Sequence, residues 1–198
     1  ELSRETASFR KNLKRFDIQV PSINYKEIQA EVLQAVHERK SMLEEHMTMM
    51  KESHFCDLLT FKKGTARLLS QNEIEISSDY NGTEIVWADY IVLATGSRPR
   101  YLPELPIDEK IVMTSDGIES MEDFPESMVI VGAGVIGCEY ATIFSGFGKT
   151  KVSLIDKGER ILPFEDEDVV RVIERNMEKS GVVIHRNSRL VRMEIKNG

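Results

Sequence analysis

Hydrophobic residues fall in three rhythms along these 198 residues. Between Asn24 and Glu52 they recur at helical spacing, with Ile28, Val32, Val36, Leu43, Met47 and Met50 on one face of a long predicted helix. Asn24 is placed to cap it, Glu27 to complete a capping box, and Ile23 with Ile28 to form a hydrophobic staple. Such a face is expected to pack on a sheet or on neighbouring helices, with a Met-rich partner-binding surface as the alternative. A basic amphipathic helix is predicted over residues 2–16, before a loop at Pro21.

From residue 57 to 94 the period shortens to two. A short strand is predicted at 58–61, then a turn at Lys62-Lys63-Gly64. Leu68-Leu69 and Glu73-Ile74-Glu75-Ile76 alternate, Asn81-Gly82 signals a hairpin, and 84–87 returns. A further apolar strand, 89–94, stops at Thr95-Gly96-Ser97-Arg98-Pro99. Residues 101–127, rich in proline and charge, read as a connection between domains with one short helix started by Asp116.

The third rhythm is that of a parallel sheet. A strand at 128–131 feeds Gly132-Ala133-Gly134-Val135-Ile136-Gly137, a helix runs to about Phe147, and a strand at 152–155 ends on Asp156. A second helix is predicted from Asp166-Glu167 to Gly181, then strands at 182–185 and 189–195. Gly132 allows a sharp turn, Gly134 lets a pyrophosphate approach the backbone, and Gly137 lets helix and strand pack closely. The helix N-terminus offers free N–H groups and a positive dipole end to phosphate. Asp156 stands where an acid accepts hydrogen bonds from an adenosine ribose, which favours NAD; Lys157 and Arg160 nearby soften that preference by attracting a 2′-phosphate.

The net charge of −7 argues against nucleic acid or an anionic membrane as partner. No apolar run is long enough to span a bilayer, and no signal-peptide pattern opens the chain. Cys56 and Cys138 stand in no Cys-x-x-Cys spacing, which fits a reducing, cytoplasmic setting; Cys138 reads as a small buried packing residue. His37, His46, His54 and His185 are scattered, so no metal site is predicted. The opening Glu1 and the half-hairpin look of Lys196-Asn197-Gly198 suggest a piece of a longer protein.

The stretch 91–99, Ile-Val-Leu-Ala-Thr-Gly-Ser-Arg-Pro, followed by 131–141, Val-Gly-Ala-Gly-Val-Ile-Gly-Cys-Glu-Tyr-Ala, resembles the pyridine nucleotide–disulfide oxidoreductases, with the soluble transhydrogenase and dihydrolipoamide dehydrogenase branches nearest. The resemblance implies an α/β fold. Residues 1–100 would be the middle of an FAD-binding Rossmann-like domain with an antiparallel β insertion, 101–127 a connection, and 128–198 part of an NAD(P)-binding Rossmann domain. It implies that Gly64, Thr65 and Ala66 meet the adenine of FAD and that Thr95, Gly96 and Ser97 lie by the flavin. Gly132, Ala133, Gly134, Val135, Ile136, Gly137 and Asp156 match the NAD(P) contacts, and Leu190 falls near the NAD adenine. Glu139 matches a glutamate of the nicotinamide pocket.

The implied activity is hydride transfer between NAD(P)H and flavin, with electrons passing on to a disulfide or to a second nicotinamide. A first FAD strand–turn–helix, the redox disulfide with its lysine, the flavin-binding Gly-Asp motif and a C-terminal dimerisation domain have no counterpart in these residues. The chain by itself is therefore expected to be inactive, to lack FAD and to self-associate through residues 1–100. A non-catalytic nucleotide-binding or regulatory module, and a helical interaction module built on residues 24–52, stand as alternatives.

Overall fold

The computed structural model describes residues 1–13, 22–52, 58–79, 82–100, 102–103 and 105–195. Its elements in chain order are α1 (Leu2–Leu13), α2 (Tyr25–Glu52), β1 (Thr65–Leu68), β2 (Glu73–Ser78), β3 (Gly82–Trp87), β4 (Ser127–Val131), α3 (Val135–Phe147), β5 (Lys151–Ile155), α4 (Glu167–Lys179) and β6 (Val183–His185), with a short 3-10 turn at Gly117–Ser120. They form two units. One joins Glu1–Glu31 to Pro99–Gly198, and the other is Val32–Arg98.

In the first unit the apolar runs of β4 and β5 pair in parallel, and β6 adds to β5, giving the order β4-β5-β6. Met128 stands opposite Val152, and Leu154 opposite Ile184. A parallel sheet needs apolar cover, and the helices of the crossovers supply it. Val152, Leu154, Ile161 and Val170 are its largest fully buried side chains, joined in the core by Ala141, Phe144, Met177 and Val182. The helix ends follow from local chemistry. α3 stops at Gly148, whose left-handed φ of 65° lets its N–H donate back to the carbonyls of Phe144 and Ser145. α4 starts at Asp166, whose carboxylate accepts from the N–H groups of Asp168 (3.0 Å) and Val169 (3.2 Å). Arg186, just after β6, reaches Glu174 and Glu178 of α4, each at 3.1 Å, and ties the last strand to that helix.

α1 lies on α3. Ser3 Oγ donates to the Ile143 carbonyl at 2.8 Å, and a side chain at Gly146 would run into Ser3. The start of α2 is held in the same unit: the Tyr25 ring meets Phe124 edge-on at 4.8 Å, and Gln29 donates to the carbonyls of Glu119 and Met121. Asn24 Oδ1 accepts from Lys26 N at 3.1 Å, which places Asn24 at the helix start as the sequence predicts.

The second unit carries an antiparallel meander, β1-β2-β3, in which Ala66 opposes Ile76 and Ile74 opposes Val86. Gly64 has a steric reason, since a Cβ there would lie 2.6 Å from the Ser77 carbonyl oxygen. Asn72 closes the sheet's end by donating to the carbonyls of Ala88 and Asp89. The exposed ion pairs Lys62–Glu84 and Arg67–Glu75 add little to stability.

Several predicted features differ. No strand forms at 58–61, 89–94 or 189–195; Val92 and Val191 are 87% and 88% exposed there. Apolar character marks a segment that gains from burial, but a strand also needs a ladder of backbone hydrogen bonds to a neighbouring strand, and among the described residues the sheets are formed by other segments. The predicted apolar face of α2 is covered only in part: Ile28 and Met47 are half-buried, while Val32, Val36 and Leu43 are each more than half exposed. Helical periodicity identifies a face without supplying the surface that covers it. The predicted helix over 2–16 is seen to Leu13, residues 14–16 lying outside the described residues, as does Asn81 of the hairpin signal.

The cap on α4 is open to a direct test. Asp166→Ala is expected to destabilise the fold by about 1 kcal/mol and Asp166→Asn by much less. Urea unfolding followed by circular dichroism checks both.

Candidate dinucleotide site

The turn after β4 is shaped by three glycines with three different reasons. Gly132 adopts a φ of 109°, closed to side-chain-bearing residues, and donates its N–H to the Ile155 carbonyl at 2.9 Å. A Cβ on Gly137 would collide with the Gly132 carbonyl and lie 3.4 Å from Ile130, so α3 approaches β4 as closely as only glycine permits. Gly134 faces open space, with nothing within 4 Å of where its Cβ would stand. It is the N-cap of α3, and no side chain caps the helix. The first hydrogen bond of the helix is Cys138 N to the Gly134 carbonyl. The N–H groups of Val135, Ile136 and Gly137 therefore precede it without an acceptor among the described residues.

Asp156 follows β5. Its N–H donates to the His185 carbonyl and its own carbonyl accepts from Ser188 N. The carboxylate turns inward: Oδ2 accepts from Ala133 N at 2.7 Å, and Oδ1 from Gly158 N at 2.6 Å. Each carboxylate oxygen has a second acceptor direction, so both bonds leave capacity for a hydroxyl. The expected ribose ligand is thus first a brace of the glycine turn. Arg160 Nη2 is engaged by the Pro163 carbonyl at 2.7 Å, and Lys157 is exposed.

Glu139 lines a shallow depression with Ile136, Tyr140 and Ile143 of α3 and with Ser115, Asp116 and Glu119 of the preceding connection. Tyr140 donates its hydroxyl to the Ser115 carbonyl at 3.2 Å. Burial raises its pKa above the usual phenol value, and the carboxylates of Glu119, Asp116 and Glu139 add to that shift. The sequence alone does not mark Ser115 or Glu119 as neighbours of Glu139. The only signal in that connection was the helix start at Asp116.

The other expected site residues lie on other stretches of the chain. Leu190 is half-buried on the stretch after β6, and among the described residues no hydrogen bond joins it to the turn. Gly64, Thr65 and Ala66 are exposed at the start of β1. Thr95, Gly96 and Ser97 lie exposed on an unpaired stretch, Gly96 at a φ of 74°. No hydrogen bond joins these two groups among the described residues. The fit to a dinucleotide thus rests on the glycine turn, where open space over Gly134 meets unpartnered helix donors. The described residues contain no group of His, Cys, Asp and Glu side chains able to hold a metal ion. They include no helix long and apolar enough to cross a membrane.

A parallel β-α-β unit with an open glycine turn at the helix N-terminus and an acid closing the next strand is the architecture of a Rossmann-type dinucleotide-binding protein. The chain belongs to the pyridine nucleotide-disulphide oxidoreductase family, whose model matches residues 10–198. That family is one of FAD- and NAD(P)-dependent oxidoreductases. A dihydrolipoyl dehydrogenase of Bacillus subtilis is 35% identical over 188 residues, covering 93% of this chain and 39% of that protein. A soluble pyridine nucleotide transhydrogenase of Hahella chejuensis is 41% identical over 126 residues, 63% of this chain and 27% of the relative. The chain therefore spans about two fifths or less of these relatives. Among solved structures, LpdA from Mycobacterium tuberculosis superposes with a TM-score of 0.75 at 22% identity, over 96% of this chain and 41% of that one, which shows the shared fold.

Cys138 offers a check on the packing beneath the turn. Burial, with the negative charges of Asp156 and Glu174, pushes its thiol up to about 11 from an ordinary 9.0. In a Cys56→Ser background, iodoacetamide at pH 8 is expected to alkylate it about a hundredfold more slowly than a free cysteine, the ratio of thiolate fractions. The same shift removes stability as pH rises from 9 through 11, because the unfolded thiol ionises first. An alkylation rate equal to that of free cysteine would contradict this packing.

Proposed function

We propose that residues 128–198 form the NAD(P)-binding portion of an FAD-dependent oxidoreductase that passes hydride between NAD(P)H and flavin. One observation carries this: the unpartnered N–H groups at the start of α3 lie under the open space at Gly134, with Asp156 bonded to the same turn. When bound, the nicotinamide supplies the hydride chemistry, and the residues of the chain hold and orient it.

In this reading the N–H groups of Val135, Ile136 and Gly137 beside Gly134 would hold a pyrophosphate, and the helix dipole would add attraction. The free acceptor capacity of Asp156 takes an adenosine ribose hydroxyl, and its negative charge opposes a 2′-phosphate. Glu139 and Ile136 stand one turn apart on α3 and line one depression, which would take the nicotinamide end. The relatives named dihydrolipoyl dehydrogenase and pyridine nucleotide transhydrogenase support the redox class.

Calorimetric titration of the chain with NADH and NADPH tests the reading. NADH is expected to bind more tightly. Gly134→Ala is expected to weaken NADH by roughly tenfold, since its Cβ occupies the space of the pyrophosphate, while leaving the melting temperature nearly unchanged. Gly137→Ala is expected instead to cost stability, about 1–3 kcal/mol from overpacking. A chain that takes neither nucleotide, or that clearly prefers NADPH, would sink the assignment or its specificity respectively.

A further inference from the structure

We propose that Leu162 is a positioning residue whose backbone latches the loop after β5 onto the glycine turn. The consequence for nucleotide affinity rests on the dinucleotide reading above; the latch itself does not.

Ala133 has no exposed surface, and both sides of its backbone are taken. Its N–H goes to Asp156 Oδ2 at 2.7 Å, and its carbonyl accepts from Leu162 N at 2.8 Å and from Cys138 Sγ at 3.5 Å. The two ends of the stretch 156–162 therefore grip one residue of the turn. The stretch is itself stiffened: Gly158 N donates to Asp156, Asn187 N to the Gly158 carbonyl at 2.9 Å, and Glu165 N to the Leu162 carbonyl at 3.0 Å.

Leu162 makes its bond at a φ of 46°. Leucine rarely occupies that region, where glycine or asparagine rests at lower cost. Two other described non-glycine residues share it, Glu109 and Asn187, so Leu162 is the one apolar side chain among them. Its side chain is 7% exposed beside the fully buried Ile161. Both the burial and the bond to Ala133 bear on this backbone. With the Ala133 peptide clamped from both sides, the donors of residues 134–137 cannot shift unless the loop moves with them.

The test uses two substitutions with opposite consequences. Leu162→Gly loses the side chain but adopts the left-handed backbone freely. Leu162→Val keeps most of the apolar volume, but its branched Cβ opposes that backbone. Amide hydrogen exchange of Gly132, Ala133 and Cys138, the hydrogen-bonded amides of the turn, is followed by NMR in the full chain, beside NADH titration and thermal melts. The latch requires the turn amides of Leu162→Val to exchange about tenfold faster, and NADH to bind about tenfold more weakly, with Leu162→Gly within about twofold of wild type on both despite a lower melting temperature. Glycine as bad as or worse than valine at the turn means that only packing matters and overturns the proposal. So does wild-type protection in the valine variant. If the valine variant does not fold, alanine against glycine decides in the same sense, faster exchange in alanine supporting the latch. Wild-type chain that binds no NADH refutes the dinucleotide reading, and the order of exchange rates still decides the latch.

Discussion

The peptide of Ala133 is the point on which the site turns. A buried N–H and a buried carbonyl must both find partners, and here they find them on one loop, through Asp156 and Leu162. Leaving either unmade costs about 1–3 kcal/mol, a large share of a domain's net stability. With Ala133 turned inward, the donors that follow it face outward at the start of α3. Gly132 and Gly137 make this possible by different means: one reverses the chain, and the other removes the side chain that would hold helix and strand apart.

The connection before β4 is a built structure rather than a tether. Asp108 accepts from the N–H groups of Lys110, Ile111 and Val112, and these bonds hold its carboxyl below the usual range. Glu109 accepts from the backbone and hydroxyl of Thr114. Acid side chains thus replace secondary structure as acceptors for the backbone. The result delivers Ser115, Asp116 and Glu119 to the depression that holds Glu139, and the bond from Tyr140 to Ser115 joins the two sides. In sequence this stretch shows prolines, charges and a helix start at Asp116, none of which points to a part in the site.

The two units differ in how far their own residues satisfy them. The parallel sheet with α3 and α4 encloses a core of fully buried side chains. The antiparallel meander satisfies its backbone through cross-strand pairs, yet Ile85 and Trp87 are exposed, and so is the unpaired stretch after it. Backbone pairing and side-chain burial are separate requirements, and here the first is met without the second.

What the sequence determined by itself is what depends on neighbours in the chain. The turn at 132–137, the cap at Asp166, the stop at Gly181 and the long helix after Asn24 follow from φ restrictions, hydrogen bonds over a few residues and helical periodicity. The order of β4, α3 and β5 was legible for the same reason, since a βαβ unit is local in sequence. What only the tertiary structure decided depends on distant partners: which apolar strands find a neighbour, that Asp156 braces the turn, and which residues of the connection surround Glu139. The left-handed backbone of Leu162 belongs with these. Nothing in a leucine between Ile161 and Pro163 announces it, because it exists only where burial and a bond to a residue 29 positions earlier in the chain, Ala133, compel it (162 − 133 = 29).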